Sequence, residues 1–169
     1  MKNKKFHIRM QKISSKKGIT TIELLVVASI IIVMATVALP NLMVYIKQYR
    51  YDNYVAKMEY LVKYSKMLGM ERTTNISVCV SGSSVTLYDI GNSRSAAICS
   101  GTAVPQQGLS ISESYISLSG SGASFDPRGM AIQTGYVCLA YNNGYTRLCI
   151  SSTGVRKEIG SGDCASCSS

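Results

Sequence analysis

Histidine is almost missing from this chain: there is one, His7, in a basic amino-terminal stretch. Beyond it no imidazole remains to act as base for a serine or cysteine nucleophile. Acidic residues are few as well, nine among 169, and they are scattered without the pairing or spacing that acid–base work or metal binding needs. Neither an enzyme nor a cofactor is expected. Cysteine does not occur before Cys79. The length leaves room for one ordinary domain plus an appendage, not for two domains with separate cores.

What is abundant is positive charge, and it is unevenly placed. Eighteen lysine and arginine residues give a formal charge of +9, which taken alone points to nucleic acid or anionic lipid. Seven of them (Lys2, Lys4, Lys5, Arg9, Lys12, Lys16 and Lys17) precede Gly18, and no acid accompanies them. From Ile19 onward eleven bases face nine acids, so that part carries only +2.

Ile19 to Leu39 is a run of 21 mostly apolar residues, interrupted by Thr20, Thr21, Glu23, Ser29 and Thr36. As a helix it would be about 30 Å long, enough to cross a bilayer core. The basic cluster lies before it and only Lys47 and Arg50 follow closely. The positive-inside rule therefore predicts a single span, with the amino end cytoplasmic and the carboxyl end across the membrane. The cysteines would then lie in an oxidising space, and their even number reads as disulfides.

Lys16-Lys17-Gly18-Ile19-Thr20-Thr21-Ile22-Glu23-Leu24-Leu25 strongly resembles the class III leader of type IV pilins and type II secretion pseudopilins. The resemblance implies that prepilin peptidase, in the bacterial inner membrane, cuts after Gly18 and that the new terminus at Ile19 is methylated. Ile19 stands where phenylalanine or methionine is commoner. Glu23 becomes the fifth mature residue and Pro40 the twenty-second, where the family also has proline. A carboxylate inside a membrane span costs roughly 2.5–3.5 kcal/mol, so Glu23 calls for a partner. The resemblance supplies one, the amino terminus of a neighbouring pilin or pseudopilin subunit during filament assembly. Pro40 lacks an amide hydrogen, and a kink or local melting of the helix is predicted there.

After Pro40 the apolar positions become periodic. Tyr51, Tyr54, Val55, Met58, Leu61, Val62, Ser65 and Leu68 follow helical three-and-four spacing, with Lys47, Asn53, Lys57, Lys63 and Lys66 mainly opposite. Gly69 is the expected stop. The predicted organisation is a leader over 1–18, a helix over 19–69 and a disulfide-containing β domain over 70–169. Within the helix, 19–39 serves membrane or filament core and 40–69 is amphipathic. The fold class is α+β, a long hydrophobic then amphipathic helix packed on a small antiparallel sheet.

Beyond Gly69, short runs of Val, Ile, Tyr and Ser alternate with turn residues. Ile76–Val80 and Val85–Ile90 read as one hairpin, through Ser81-Gly82-Ser83. Tyr136–Tyr141 and Tyr145–Ile150 read as another, joined by a type I′ turn at Asn143-Gly144. That turn places Cys138 opposite Cys149 and predicts a disulfide between them. It also puts Val137, Leu139, Leu148 and Ile150 on one core face, with Cys138, Arg147 and Cys149 on the other. Cys164 and Cys167 are expected to pair with each other or with Cys79 and Cys99.

Phe125-Asp126-Pro127-Arg128-Gly129-Met130, then a hairpin, then Ile150-Ser151-Ser152-Thr153-Gly154-Val155-Arg156-Lys157, loosely resembles the FimT/GspH family of minor pilins and pseudopilins. FimT-type minor pilins carry a carboxyl-terminal Gly-Arg-x-Arg element that binds DNA. The matching stretch here is Gly154-Val155-Arg156-Lys157, with Val155 and Lys157 where that element has arginine. The resemblance implies a pilus subunit contacting double-stranded DNA during uptake in natural transformation. The DNA-contact candidates are Arg156 and Lys157 on a turn, with Arg147 and Arg128 nearby and Tyr141 and Tyr145 at the hairpin tip. The alternatives are a GspH-like pseudopilin of a type II secretion filament, with a purely structural role, and a major pilin closed by a terminal disulfide loop.

Overall fold

The computed structural model describes residues 19–167. The leader, with Gly18 and the expected cut, lies outside the described residues. Two compact units divide near Val44, and helix α1 (Thr21–Arg72) contributes to both.

The first unit is the amino-terminal half of α1. Thr20 caps the helix: its carbonyl accepts the first helical bond, from Leu24 N at 3.2 Å, and its Oγ1 accepts the Glu23 amide at 3.4 Å. Thr-x-x-Glu is the capping-box spacing, and a carboxylate in the first turn also suits the positive end of the helix dipole. Ser29 and Thr36 donate their hydroxyls back to Val26 O (2.7 Å) and Val33 O (2.8 Å). Each polar group is thereby satisfied within the helix. At Pro40 the helix continues, so the expected melting does not occur. One missing amide bond is tolerated among the many that flank it.

The second unit starts at Tyr45. Its strands are β1 (Asn75–Ser81), β2 (Ser84–Gly91), β3 (Thr102–Ser110), β4 (Ser117–Gly120), β5 (Ala123–Phe125), β6 (Ala131–Gln133), β7 (Gly135–Tyr141), β8 (Gly144–Ser151) and β9 (Gly154–Ser161). They form two antiparallel sheets, one ordered β3-β2-β1-β5-β6 and the other β4-β7-β8-β9. The carboxyl-terminal half of α1 buries Tyr51, Val55, Met58, Leu61, Val62 and Leu68 in one core with both sheets. The first sheet contributes Ile76, Val78, Val85 and Leu87, the second Val137, Leu139, Leu148 and Ile150. Each large apolar side chain so buried stabilises by about 1.5–3 kcal/mol before entropy is charged against it.

Gly69 does not stop the helix, which runs on to Arg72 and ends where Thr73 adopts φ 54°. Gly69 is needed for packing instead. A Cβ there would sit 3.3 Å from the carbonyl oxygens of Asp126 and Thr74, so the helix approaches the Phe125–Met130 turn more closely than an alanine comfortably allows.

The second predicted hairpin forms with a different turn. The central residues are Asn142 and Asn143, at φ 49° and 61°, and Tyr141 pairs with Gly144. A type I′ turn needs left-handed backbone at both central positions, and asparagine tolerates it better than most residues. Relative to the Asn143-Gly144 turn, the pairing slides by two residues. Because side chains alternate with period two, the faces are unchanged: Val137, Leu139, Leu148 and Ile150 are buried in the core. Cross-strand partners do change, with Cys138 opposite Arg147 and Tyr136 opposite Cys149.

Candidate functional site

Two surfaces stand out, one on each unit. On the first, Ile22, Leu25, Ile31, Val33 and Met34 are each at least 60% exposed. An apolar surface of this size is unusual on a soluble monomer and asks for lipid or other protein chains. By length and composition the helix can cross a membrane. Glu23 is exposed at its start, and Thr20 satisfies the Glu23 amide, while among the described residues no basic side chain pairs with the carboxylate.

The second surface is the outer face of the β4-β7-β8-β9 sheet, opposite the core. After β9 the chain turns back as an irregular strap, fixed at its start by Gly162 N–H donating to Asn143 O at 2.8 Å. Two disulfides fasten it, Cys138–Cys164 to β7 and Cys149–Cys167 to β8. The third bridge, Cys79–Cys99, ties β1 to the loop after β2. The expected Cys138–Cys149 bond is therefore not formed, since the two-residue slide moves Cys149 away from Cys138. Cys164 and Cys167 pair neither with each other nor with Cys79 and Cys99.

Arg147 lies between the two staples and holds the strap down. Its Nε donates to Glu158 Oε2 at 3.1 Å and its Nη2 donates to the same oxygen. Its Nη1 donates to Ala165 O and, at 3.1 Å, to Ser166 O. The guanidinium also rests 5.3 Å from the centre of the Tyr145 ring, in cation–π range. Only 8% of the side chain is exposed. Hydrogen bonding from Arg147, aided by the charge of Arg156, holds the Glu158 carboxyl below the usual carboxylate range.

The expected DNA contacts do not converge. Arg147 is buried and engaged. Arg156 and Lys157 lie within β9, not on a turn, and point to opposite faces, since Arg156 pairs with Cys149 and Lys157 with Leu148. Arg156 Nη2 bonds Glu158 Oε1, while Lys157 reaches Glu59 of α1 at 2.6 Å. Arg128 belongs to the turn beside the other sheet, where it and Arg94 flank buried Asp126 at 3.9 and 3.7 Å. The tyrosines are also occupied: Tyr141 packs against Tyr51 and Tyr115 with ring centres 5.6 Å apart, and Tyr145 lies under Arg147. Sequence reasoning missed the structural role of Arg147, for which the only cue was its position between two cysteines on one sheet face. Among the described residues no group of three or more His, Cys, Asp or Glu side chains comes together to hold a metal ion.

No protein-family model matches the chain, and no curated protein matches it. Among solved structures it is similar to the type IV minor pilin FimU of Pseudomonas aeruginosa, with a TM-score of 0.50 over 69% of this chain and 92% of that one. The chain has a pilin-like fold. At 13% identity the likeness concerns architecture: a long apolar helix whose second half backs antiparallel sheets.

Proposed function

We propose that the protein is a structural subunit of a type IV pilus-like filament, a minor pilin or pseudopilin processed after Gly18 and anchored through residues 19–39. The observation that carries this reading is the bare apolar half of α1 on a pilin-like fold, with one carboxylate, Glu23, near its start that has no basic partner among the described residues. In a filament the amino group of Ile19 on one subunit would neutralise Glu23 of the next, replacing an isolated charge in apolar surroundings by a pair. The test is a Glu23→Gln variant in the native host. The variant should accumulate in the inner membrane at unchanged level yet disappear from sheared filaments. Equal incorporation of the variant refutes the pairing.

DNA contact is the second reading, and Arg128 and Arg156, both largely exposed, favour it most. All four basic candidates pair with internal carboxylates, however, Arg128 with Asp126, Arg147 and Arg156 with Glu158 and Lys157 with Glu59, and a phosphate-tracking surface needs several free cations on one face. The full chain in detergent, titrated into labelled duplex DNA at several salt concentrations, decides between them. Affinity that falls steeply with salt and is lost on Arg156→Ala/Lys157→Ala substitution would favour DNA uptake. Absence of binding at low salt leaves the structural role.

A further inference from the structure

An open groove of about 830 Å³ lies on the second unit beside the Cys149–Cys167 bridge. The β6–β7 junction forms one wall, the β8–β9 turn another, and the end of the strap a third. Three residues of its lining stand in one row across β7, β8 and β9. Tyr136 is directly opposite Cys149, and Cys149 is directly opposite Arg156. Neighbouring strands are about 4.8 Å apart, so the aromatic ring and the guanidinium are anchored roughly 10 Å from each other, with the disulfide between them as a floor.

The rest of the lining is rich in hydroxyls, with six serine and threonine residues among fourteen. Some of these serve the groove's own structure: Ser151 Oγ bonds Thr153 Oγ1 at 2.9 Å, and Ser121 Oγ accepts the Tyr136 amide at 3.2 Å. Thr134, Ser152 and Ser166 are exposed and remain open to a ligand. Gly135 shapes the inner wall, because a Cβ there would overlap Gly122 O. Arg156 is 65% exposed and, among the described residues, spends only Nη2 on Glu158, leaving most of its five donors for another acceptor.

We propose that this groove binds an acidic oligosaccharide, with a sugar ring against Tyr136, its hydroxyls against the serine and threonine rim, and its carboxylate on Arg156. An apolar peptide or drug-like ligand would cover the hydroxyl rim and the Arg156 donors without supplying acceptors for them, at the cost of their desolvation. A polyphosphate would want a row of cations, and among the described residues the groove's lining has one. A planar carboxylate matches the fork of a single guanidinium. The proposal is independent of the filament reading, since the groove lies entirely within the second unit.

The test uses the full chain in detergent micelles and saturation-transfer NMR on three probes: trigalacturonate, sialyllactose and, as the neutral control, lactose. At least one acidic probe should show transfer with an affinity at least tenfold above that for lactose. Arg156→Ala should weaken the acidic probe about tenfold and leave lactose unchanged. Tyr136→Ala should abolish transfer to every sugar, whereas Tyr136→Phe, which keeps the ring face, should restore it. Near-ultraviolet circular dichroism of each variant distinguishes a lost contact from a lost fold, and Tyr136→Phe decides the point should Tyr136→Ala misfold. Transfer to neither acidic probe overturns the proposal, as does acidic-probe binding indifferent to Arg156→Ala. Displacement of a bound sugar by a short DNA duplex that binds more tightly through the same residues overturns it too, in favour of a polyanion.

Discussion

Replacing Arg147 by alanine should destabilise the second unit substantially while leaving all three disulfides in place. The side chain makes two bonds to Glu158 and two to strap carbonyls, and hydrogen bonds to charged groups contribute about 1.5–3 kcal/mol each at most. The sum is not recovered in full. Ala165 and Ser166 are exposed, so their carbonyls regain water, and Glu158 keeps Arg156 as a partner. What remains is the loss of the buried guanidinium's packing on Tyr145 and of its best bonds, roughly 2–3 kcal/mol. For a unit of this size that lowers Tm by about 10 °C. The assay is thermal unfolding of the full chain in detergent, followed by near-ultraviolet circular dichroism of its tyrosines. Arg147→Lys should fall between, since a lysine keeps the charge but not the fork that reaches carboxylate and carbonyls together. A change below about 0.5 kcal/mol for Arg147→Ala would refute the reasoning and return Arg147 to the pool of surface cations.

Further outcomes follow from the same geometry. Peptide mapping without reduction should recover Cys79–Cys99, Cys138–Cys164 and Cys149–Cys167, and a Cys138–Cys149 peptide would restore the Asn143-Gly144 register. Met58, fully buried in the core on α1, should cost about 2–5 kcal/mol as Met58→Ala in denaturant unfolding, against little change for exposed Met67→Ala. Glu158 should titrate in carboxyl NMR below the ordinary value of about 4.3, and its midpoint should rise in Arg147→Ala. Because its folded pKa is depressed, its stabilising contribution is complete above that ordinary value and is lost as pH falls through the lower folded one. A midpoint at or above the ordinary value in the unaltered protein would contradict the Arg147 pairing.

The parts of this fold that were legible are those encoded by periodicity. The Tyr51 to Leu68 stripe repeats with the helix and lands in the core, apart from half-buried Tyr54. The faces of β7 and β8 repeat with period two and are also right. Register is a different matter, because a two-residue slide leaves every face unchanged and only the turn dipeptide distinguishes the alternatives. Both Asn142-Asn143 and Asn143-Gly144 satisfy the left-handed requirement. The disulfide pairing inherits that ambiguity and adds another, since it depends on where an irregular strap crosses the sheet, which no local pattern encodes. The short strands β4, β5 and β6 were illegible, being three or four residues long. Strand β3 carries Pro105 and Gly108, tolerable because it is an edge strand. The basic residues misled because charge is visible in sequence while the carboxylate that neutralises it, Glu59 for Lys157 or Glu158 for Arg147, is brought in by tertiary packing.

The two staples of the strap overlap along the chain. The ring closed by Cys138–Cys164 contains the turns before and after β8, and the ring closed by Cys149–Cys167 contains the whole of β9. A backbone cut between Ser151 and Gly154 would leave both pieces joined by two covalent links, and one between Asn142 and Asn143 would leave them joined by one. These two exposed turns can therefore be severed without shedding a fragment, and the sheet edge stays fastened after the chain itself has been broken.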